Sequence, residues 1–275
     1  MRKFVTAILI LIIIIFGFNS RLRAEKLKVY VTHQWLAVLA NFIGSTEVEI
    51  IPLRIWNADG VLINAENGKF IKELNHDSRI MAFDSNDFKS LGLESKKYKS
   101  LRLLYLKKIP VEINKIIDPS VMPFIAQRVL TILSEWDPNN YPVYQRRLAE
   151  FQARLSSTML AGQVMKNSVI CDMSIYSGVL MQAAGCKIIK PNAQDVTRWQ
   201  NGNYSGLREY AEKLNTQGII ILMDLWTSRN IKKYLSGRKN IFMWESPEPD
   251  QDYPSFLHEQ YISLWQRIIL KRTGK

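Results

Sequence analysis

The sequence predicts a two-lobed α/β protein in which each lobe is a parallel-rich sheet with flanking helices and one long backbone helix joins the two. Three observations lead there. Short β-branched runs alternate with longer helical patterns, as parallel strands joined by crossover helices require. One stretch, "YPVYQRRLAEFQARLSSTMLAGQ", is helical for far longer than the others, with Tyr144, Leu148, Phe151, Leu155 and Met159 on one face. The same alternation of strands and helices lies on both sides of it.

The elements follow in chain order. Arg2 and Lys3 precede an apolar run from Phe4 to Phe18. That pattern is a signal peptide, because a membrane-spanning helix usually needs about 20 apolar residues. Cleavage after Ala24 places Leu22 and Ala24 at the two small-pocket positions, and the mature protein is then expected in the periplasm. Arg21 and Arg23 are unusual so close to such a point, which leaves an uncleaved membrane anchor as the alternative. No cysteine before Cys171 is available to carry a lipid. The expected organisation is a leader over 1–24, an N-terminal α/β lobe over 25–140, a linking helix over 141–164 and a C-terminal α/β lobe over 165–275.

The strands are expected at "LKVYVT", "VEIIPL", "RIMAF", "VICD", "CKIIK", "GIIILM" and "NIFMW". Helices are expected near 34–44, 66–75, 119–135, 141–162, 175–184, 205–216 and 228–236. Gly44, Gly185 and Gly218 stand where a left-handed residue ends a helix before a strand. Asp118 is expected to cap a helix that carries Pro119 in its first turn. Trp136-Asp137-Pro138-Asn139 breaks one helix, and Pro142 suits the first turn of the next.

Composition narrows the function. Arg2, Lys3, Arg21 and Arg23 account for four of the formal charge of +12, leaving +8 on the mature chain. The Lys and Arg residues are dispersed and no nucleic-acid motif accompanies them, so a solvated surface explains the charge. With three scattered His residues, no Gly-x-Ser-x-Gly elbow, no phosphate loop and no dinucleotide pattern, nothing assembles a nucleophile with its base, and the chain is not read as an enzyme. Cys171 and Cys186 fall toward opposite ends of parallel strands, so both thiols are expected to be free.

"LSEWDPNNYPVYQRRLAEFQARL" resembles the segment entering the backbone helix of cluster A-I solute-binding proteins, the zinc and manganese receptors of ABC importers. The shared pattern is an acidic-Pro-Asn turn, then Tyr, then an aromatic and a Leu at helical spacing. Four further stretches agree in order: the first strand after the leader, "EVEIIPL", "DPSV" and "SIYSGVLMQAAGCKII". The resemblance covers nearly the whole mature chain. It implies a monomer that captures a small solute between its lobes and delivers it to an ABC permease in the inner membrane.

The family's metal site uses three His, or two His with a Glu, plus a carboxylate, donors that suit zinc and manganese. The carry-over fails at most positions. After the second strand, where the family has His, this chain reads Arg54-Ile55-Trp56-Asn57-Ala58-Asp59. The family's Asp-Pro-His becomes Asp118-Pro119-Ser120, and its third ligand falls on Ser174. The late carboxylate alone has a counterpart, Glu245, which is the single candidate metal ligand. Zinc or manganese is therefore implied by the family only. Cys171 and Met173 could offer soft sulfur to copper(I).

The cleft is also expected from topology alone, since ligands in open parallel sheets bind beyond the carboxyl ends of strands. Those ends carry His33, Gln34 and Trp35, then Arg54, Trp56 and Asn57, then Asp84, Asp172, Ser174, Asp224, Trp226, Trp244 and Glu245. Four of the seven tryptophans are among or beside them. Trp with carboxylates suits a flat or cationic organic ligand. The ligand-binding set is thus Trp56, Asn57, Asp59, Ser120, Ser174, Trp226, Trp244 and Glu245, closed over by modest lobe movement. The readings that follow are a receptor of a metal-type importer with a degenerate site, an altered receptor for an organic cation or metal chelate, and a non-transporting interaction protein on the same scaffold.

Overall fold

Two four-stranded, wholly parallel sheets carry the lobes of the computed structural model, which describes residues 26–107 and 116–272. The leader lies outside the described residues. The first lobe runs β1 (Leu27–Val31), α1 (Gln34–Gly44), β2 (Val48–Pro52), β3 (Arg54–Trp56), β4 (Leu62–Asn64), β5 (Ile80–Ala82), α2 (Ser85–Lys89), β6 (Leu101–Leu103) and α3 (Met122–Trp136). The long helix α4 (Tyr141–Gly162) follows. The second lobe runs β7 (Val169–Asp172), α5 (Gly178–Ala183), β8 (Lys187–Ile189), α6 (Ala193–Gln200), α7 (Leu207–Thr216), β9 (Ile220–Asp224), α8 (Arg229–Leu235), β10 (Ile241–Trp244) and α9 (Tyr253–Arg272).

The strand orders are β2-β1-β5-β6 and β10-β9-β7-β8, with β3 and β4 forming a separate antiparallel hairpin. Every strand expected from sequence is present. The central ones are apolar along their whole length because helices cover both faces of a parallel sheet, so no alternation marks an inside and an outside. All five residues of β9 are buried.

Helix α4 buries Tyr144, Leu148, Phe151 and Leu155 on one stripe, with Met159 partly buried against the same core. That stripe packs on α1 and α3 from the first lobe and on α9 from the second. At its start the buried Tyr144 hydroxyl donates to Asp137 Oδ2 at 2.7 Å, which anchors the turn between α3 and α4. Helix α9 completes the joint. Its Tyr253 ring meets Trp35 of α1 edge-on at 5.8 Å, and its hydroxyl donates to the Ile117 carbonyl at 3.3 Å. One apolar core therefore runs from Val29 and Leu133 through Phe151 to Leu180 and Tyr261, across both lobes.

Several local expectations change. The helix expected over 66–75 is broken: Glu66, Asn67 and Gly68 have φ of 46°, 52° and 81°, and only the turn Lys69–Lys72 is helical. Gly44 ends α1 in ordinary helical geometry, and the left-handed residue is Ser45 at φ 52°. Gly is needed at 44 for a different reason, since a Cβ there would lie 2.9 Å from the Val48 side chain. Gly185 and Gly218 do have positive φ. Helix α3 starts at Met122 with Pro123 in its first turn, so Pro119 precedes the helix. The helices expected from sequence stop at residue 236, whereas α9 adds 20 residues of helix at the end of the chain. Cys171 and Cys186 are free thiols.

The joint between the lobes sets its own tolerance. A Cβ on Gly162 would meet the Tyr261 ring at 2.9 to 3.2 Å. Gly162→Ala should therefore cost about 1–3 kcal/mol through overpacking, read as a fall in Tm of about 2–4 °C per kcal/mol. An unchanged melting curve would show that α4 and α9 do not close on each other this tightly.

Candidate functional site

The site is built where the carboxyl ends of both sheets face each other. The β3–β4 hairpin reaches out of the first lobe, paired Arg54 with Asn64 and Trp56 with Leu62. Asn57 Oδ1 holds its turn by accepting from the Asp59 and Val61 amides at 3.0 and 2.9 Å. Gly60, at φ 74°, lets the tip lie against the second lobe, because a Cβ there would be 2.9 Å from the Leu225 carbonyl. Asp59 pairs with Arg229 across the same contact at 3.5 Å.

Aromatic rings continue the contact from lobe to lobe. His33 meets Trp56 at 5.2 Å, Trp56 meets Trp226 at 5.4 Å, and Trp226 meets Tyr176 at 5.1 Å, each edge to face. The buried Gln34 fastens both sides. Its Oε1 accepts from the Trp56 amide and its Nε2 donates to the Pro247 carbonyl, each at 2.6 Å. Asn41 Nδ2 adds a bond to the Pro249 carbonyl at 2.9 Å.

Beside this bridge lies a cavity of about 610 Å³ lined from both lobes. Ile55, Trp56, Leu225, Met243 and Trp244 supply apolar wall, and Asn57, Lys232, Glu245 and Glu248 supply polar edge. The Lys232 ammonium donates to the Leu225 carbonyl at 2.7 Å, and burial lowers its pKa. A smaller groove of about 330 Å³ lies on the first lobe among His33, Arg54, Trp56 and Asp87. A third, of about 310 Å³, lies on the second lobe among Asp172, Ser174, Lys190 and Thr227.

The residues expected at the site separate accordingly. Trp56, Asn57, Trp244 and Glu245 line the large cavity, although the Trp244 side chain is fully buried and packs on Phe242 and Tyr261. Trp226 and Asp59 stand at the lobe contact next to it. Ser174 lies in the second-lobe groove, where its hydroxyl donates to Asp172 and accepts from the Gly178 amide. Ser120 lines none of these cavities. It is exposed, and both its amide and hydroxyl donate to Asp118 Oδ1, at 2.8 and 2.7 Å. The sequence expectations omit Lys232, Met243 and Glu248. Glu248 had a signal, since it follows Glu245 by three residues in "ESPEPD", whereas nothing local marks Lys232 on α8.

Comparison with solved structures now bears on the architecture. The zinc(II)-bound mutant variant of AdcAII from Streptococcus pneumoniae matches with a TM-score of 0.61 at 13% identity, covering 89% of this chain and 100% of that one. The solute-binding protein FpvC of Pseudomonas aeruginosa in complex with Mn2+ matches at TM-score 0.57 and 14% identity, covering 89% and 98%. The laminin binding protein of Streptococcus agalactiae, described as bifunctional with adhesin and metal transporting activity, matches at TM-score 0.61 and 9% identity, covering 89% and 100%. This chain shares the two-lobed α/β fold of these solved proteins. No protein-family model matches it, and no curated protein matches it by sequence.

Among the described residues no group of three or more His, Cys, Asp or Glu side chains could hold an ion. His33 is the one imidazole at the lobe contact, and only 2% of it is exposed. Its Nδ1 accepts from the Trp35 amide at 3.1 Å, which places the ring proton on Nε2 and leaves no lone pair facing outward. Burial, reinforced by the Arg54 guanidinium, pushes its pKa down to about 3. Arg54 occupies the stretch that the resemblance assigns to a metal-binding His, and it is committed to the buried Asp87 carboxylate, the Thr32 carbonyl and the Ser90 hydroxyl. Cys171, in contact with the Tyr210 hydroxyl at 3.4 Å, is buried, and burial pushes its pKa up to about 11. His76 and His258 lie away from the lobe contact, one beside Asp77 and one in the crevice of α4 and α9.

The His33 environment has a measurable consequence. The unfolded imidazole takes its proton near 6.5, while the folded one refuses it down to about 3. The unfolded state binds the extra proton across that window, so stability falls as pH drops through it, by up to about 1.4 kcal/mol per pH unit. His33→Asn keeps an N-cap acceptor and removes this slope. Its unfolding free energy should decline less steeply than the wild type's between about pH 6.5 and 5, before most carboxylates titrate. Equal slopes would mean that His33 charges freely in the folded chain.

Proposed function

We propose that this chain is the solute-capturing component of an ABC import system. Its leader sends it to the periplasm, it holds its solute between the lobes, and it presents that solute to a permease in the inner membrane. The solute is not a bare zinc or manganese ion. The observation that carries this reading is the cavity of about 610 Å³ walled by Trp56, Leu225 and Met243 from two lobes. That volume suits a small organic molecule or a chelate. A naked divalent ion needs a tight cage of imidazole and carboxylate donors, and the corresponding stretches present Arg54, Ser120 and Ser174.

The lobe contact bears on how the cleft would work. Gln34, Asn41 and the rings of Trp56 and Trp226 already join the lobes, and the core beneath them is continuous. A wide hinge motion would break all of these together, so solute enters by displacement of the β3–β4 tip and of the 245–249 segment. The same aromatic bridge favours a second reading, in which the closed lobes form a scaffold for interaction with another protein and capture no solute.

Native mass spectrometry of the protein purified from its own periplasm, with elemental analysis, separates these readings. The expected result is a bound organic mass with zinc and manganese well below one per chain. One zinc or manganese per chain would overturn the rejection of a bare ion. Nothing bound, together with unchanged Trp fluorescence across metals and small cations, would replace the receptor with the interaction protein.

A further inference from the structure

We infer that the large cavity between the lobes selects an amphipathic organic cation, an amine or quaternary ammonium carried on an aromatic or aliphatic body. This deepens the receptor proposed above and rests on it. The charge distribution is the first support. Glu245 and Glu248 both line the cavity, and among the described residues neither carboxylate has an ion pair or a side-chain hydrogen bond. Only their backbone groups are engaged: the two amides donate to Gln260 and Gln251 Oε1, and the Glu248 carbonyl accepts from the Gln251 amide.

Other exposed carboxylates, Glu49, Glu66, Glu209, Asp250 and Glu259 among the described residues, are equally unpaired, so the isolation of these two counts because both stand at one cavity. Lys and Arg outnumber Asp and Glu by 37 to 25, and elsewhere basic side chains reach acidic ones across many residues, as Arg154 does to Asp252 and Arg102 to Glu135. A basic protein that leaves two neighbouring carboxylates unpaired at a cavity mouth offers a local field opposite to its own net charge. The one ammonium on the lining, Lys232, faces the Leu225 carbonyl, and burial disfavours its charged form. An anionic ligand would find one ammonium already donating to the Leu225 carbonyl and two repelling carboxylates.

The walls are the second support. Trp56 presents an indole, Met243 a polarisable thioether, and Ile55 and Leu225 aliphatic surface. Aromatic faces attract cations, and a thioether adapts to a flat or branched apolar body. The volume, about 610 Å³, accommodates a ligand of roughly ten to twenty heavy atoms, far more than an ion with its waters. Orphaned indole N–H groups add nothing to this, because Trp35 and Trp136 inside the helical core share that condition with Trp56, Trp226 and Trp244.

The test uses three probes that share one body and differ in charge: phenethylamine, 2-phenylethanol and phenylacetate, titrated calorimetrically into the full chain at low ionic strength. Phenethylamine should bind saturably and about tenfold or more tighter than either analogue. The Glu245→Gln/Glu248→Gln double variant, whose changes are on exposed side chains, should lose about tenfold in phenethylamine affinity and leave 2-phenylethanol unchanged. Trp56→Ala should weaken both. Equal affinities, tighter phenylacetate, or an unaltered double variant would overturn the cationic class while the receptor reading stands. Absence of saturable phenethylamine binding up to about 10 mM, well above the range expected for a cleft ligand, would overturn it as well. The receptor reading falls separately, if the mass measurement finds nothing held by the native protein.

Discussion

Each lobe is organised by one buried carboxylate placed where its strand order reverses. In the first sheet the reversal lies between β1 and β5, and Asp87 sits there, accepting from the Thr32 hydroxyl, the Phe83 amide and Arg54. In the second sheet it lies between β7 and β9. Asp224 Oδ2 accepts from the successive amides of Ile175, Tyr176 and Ser177 at 2.8 to 3.2 Å, and its Oδ1 from the Thr227 amide and hydroxyl. A charge taken out of water persists only when such partners surround it. The crevice that open α/β sheets commonly give to a ligand is here narrowed by the protein's own side chains to grooves of about 330 and 310 Å³. Burial still pushes the Asp87 carboxyl up despite Arg54, so desolvation is the larger effect in that pair.

The rest of the cleft hangs on these two anchors. Asp87 holds Arg54 at the root of β3, which sets where Trp56 emerges two residues later. Asp224 fixes the loop carrying Tyr176 and ends the strand before Trp226. The two loops then meet ring to ring, and Gln34 ties Trp56 to the 247 carbonyl. The cavity of about 610 Å³ lies on the flank of this bridge, toward β10 and the 245–248 segment, and the smaller grooves lie nearer the switch points. Neither Ser174 nor Ser120 shares a cavity with Glu245, although all three fall on stretches assigned to one metal site by resemblance.

The same framework holds His33 in a single role. Its ring is pinned by the Trp35 amide on one nitrogen and by Trp56 and Phe83 on its faces. A helix N-cap and a metal ligand make opposite demands on that imidazole, since the cap needs Nδ1 unprotonated and a ligand bound through Nε2 needs the proton on Nδ1. The chain uses it as a cap. With Arg54 adjacent, a divalent cation would also meet a fixed positive charge in a poorly hydrated setting, where Coulomb repulsion is screened least.

The sequence by itself determined the parallel sheets, the long joining helix and the loss of the His set, because strand runs, helical periodicity and residue identity are local properties. It also marked Trp56, Asn57 and Glu245, which lie at strand ends. Helix α9 was hidden although Tyr253, Leu257, Tyr261, Leu264 and Ile268 recur every three or four residues. Ile262, Ile269 and Leu270 spread apolar character around its circumference and blur the stripe. Only the tertiary structure decided that Trp244 is core, that Lys232 and Glu248 share a cavity with Trp56, and that the aromatic bridge joins the lobes beside that cavity. Those outcomes depend on which loops two separate sheets bring face to face, and no spacing along the chain encodes that meeting.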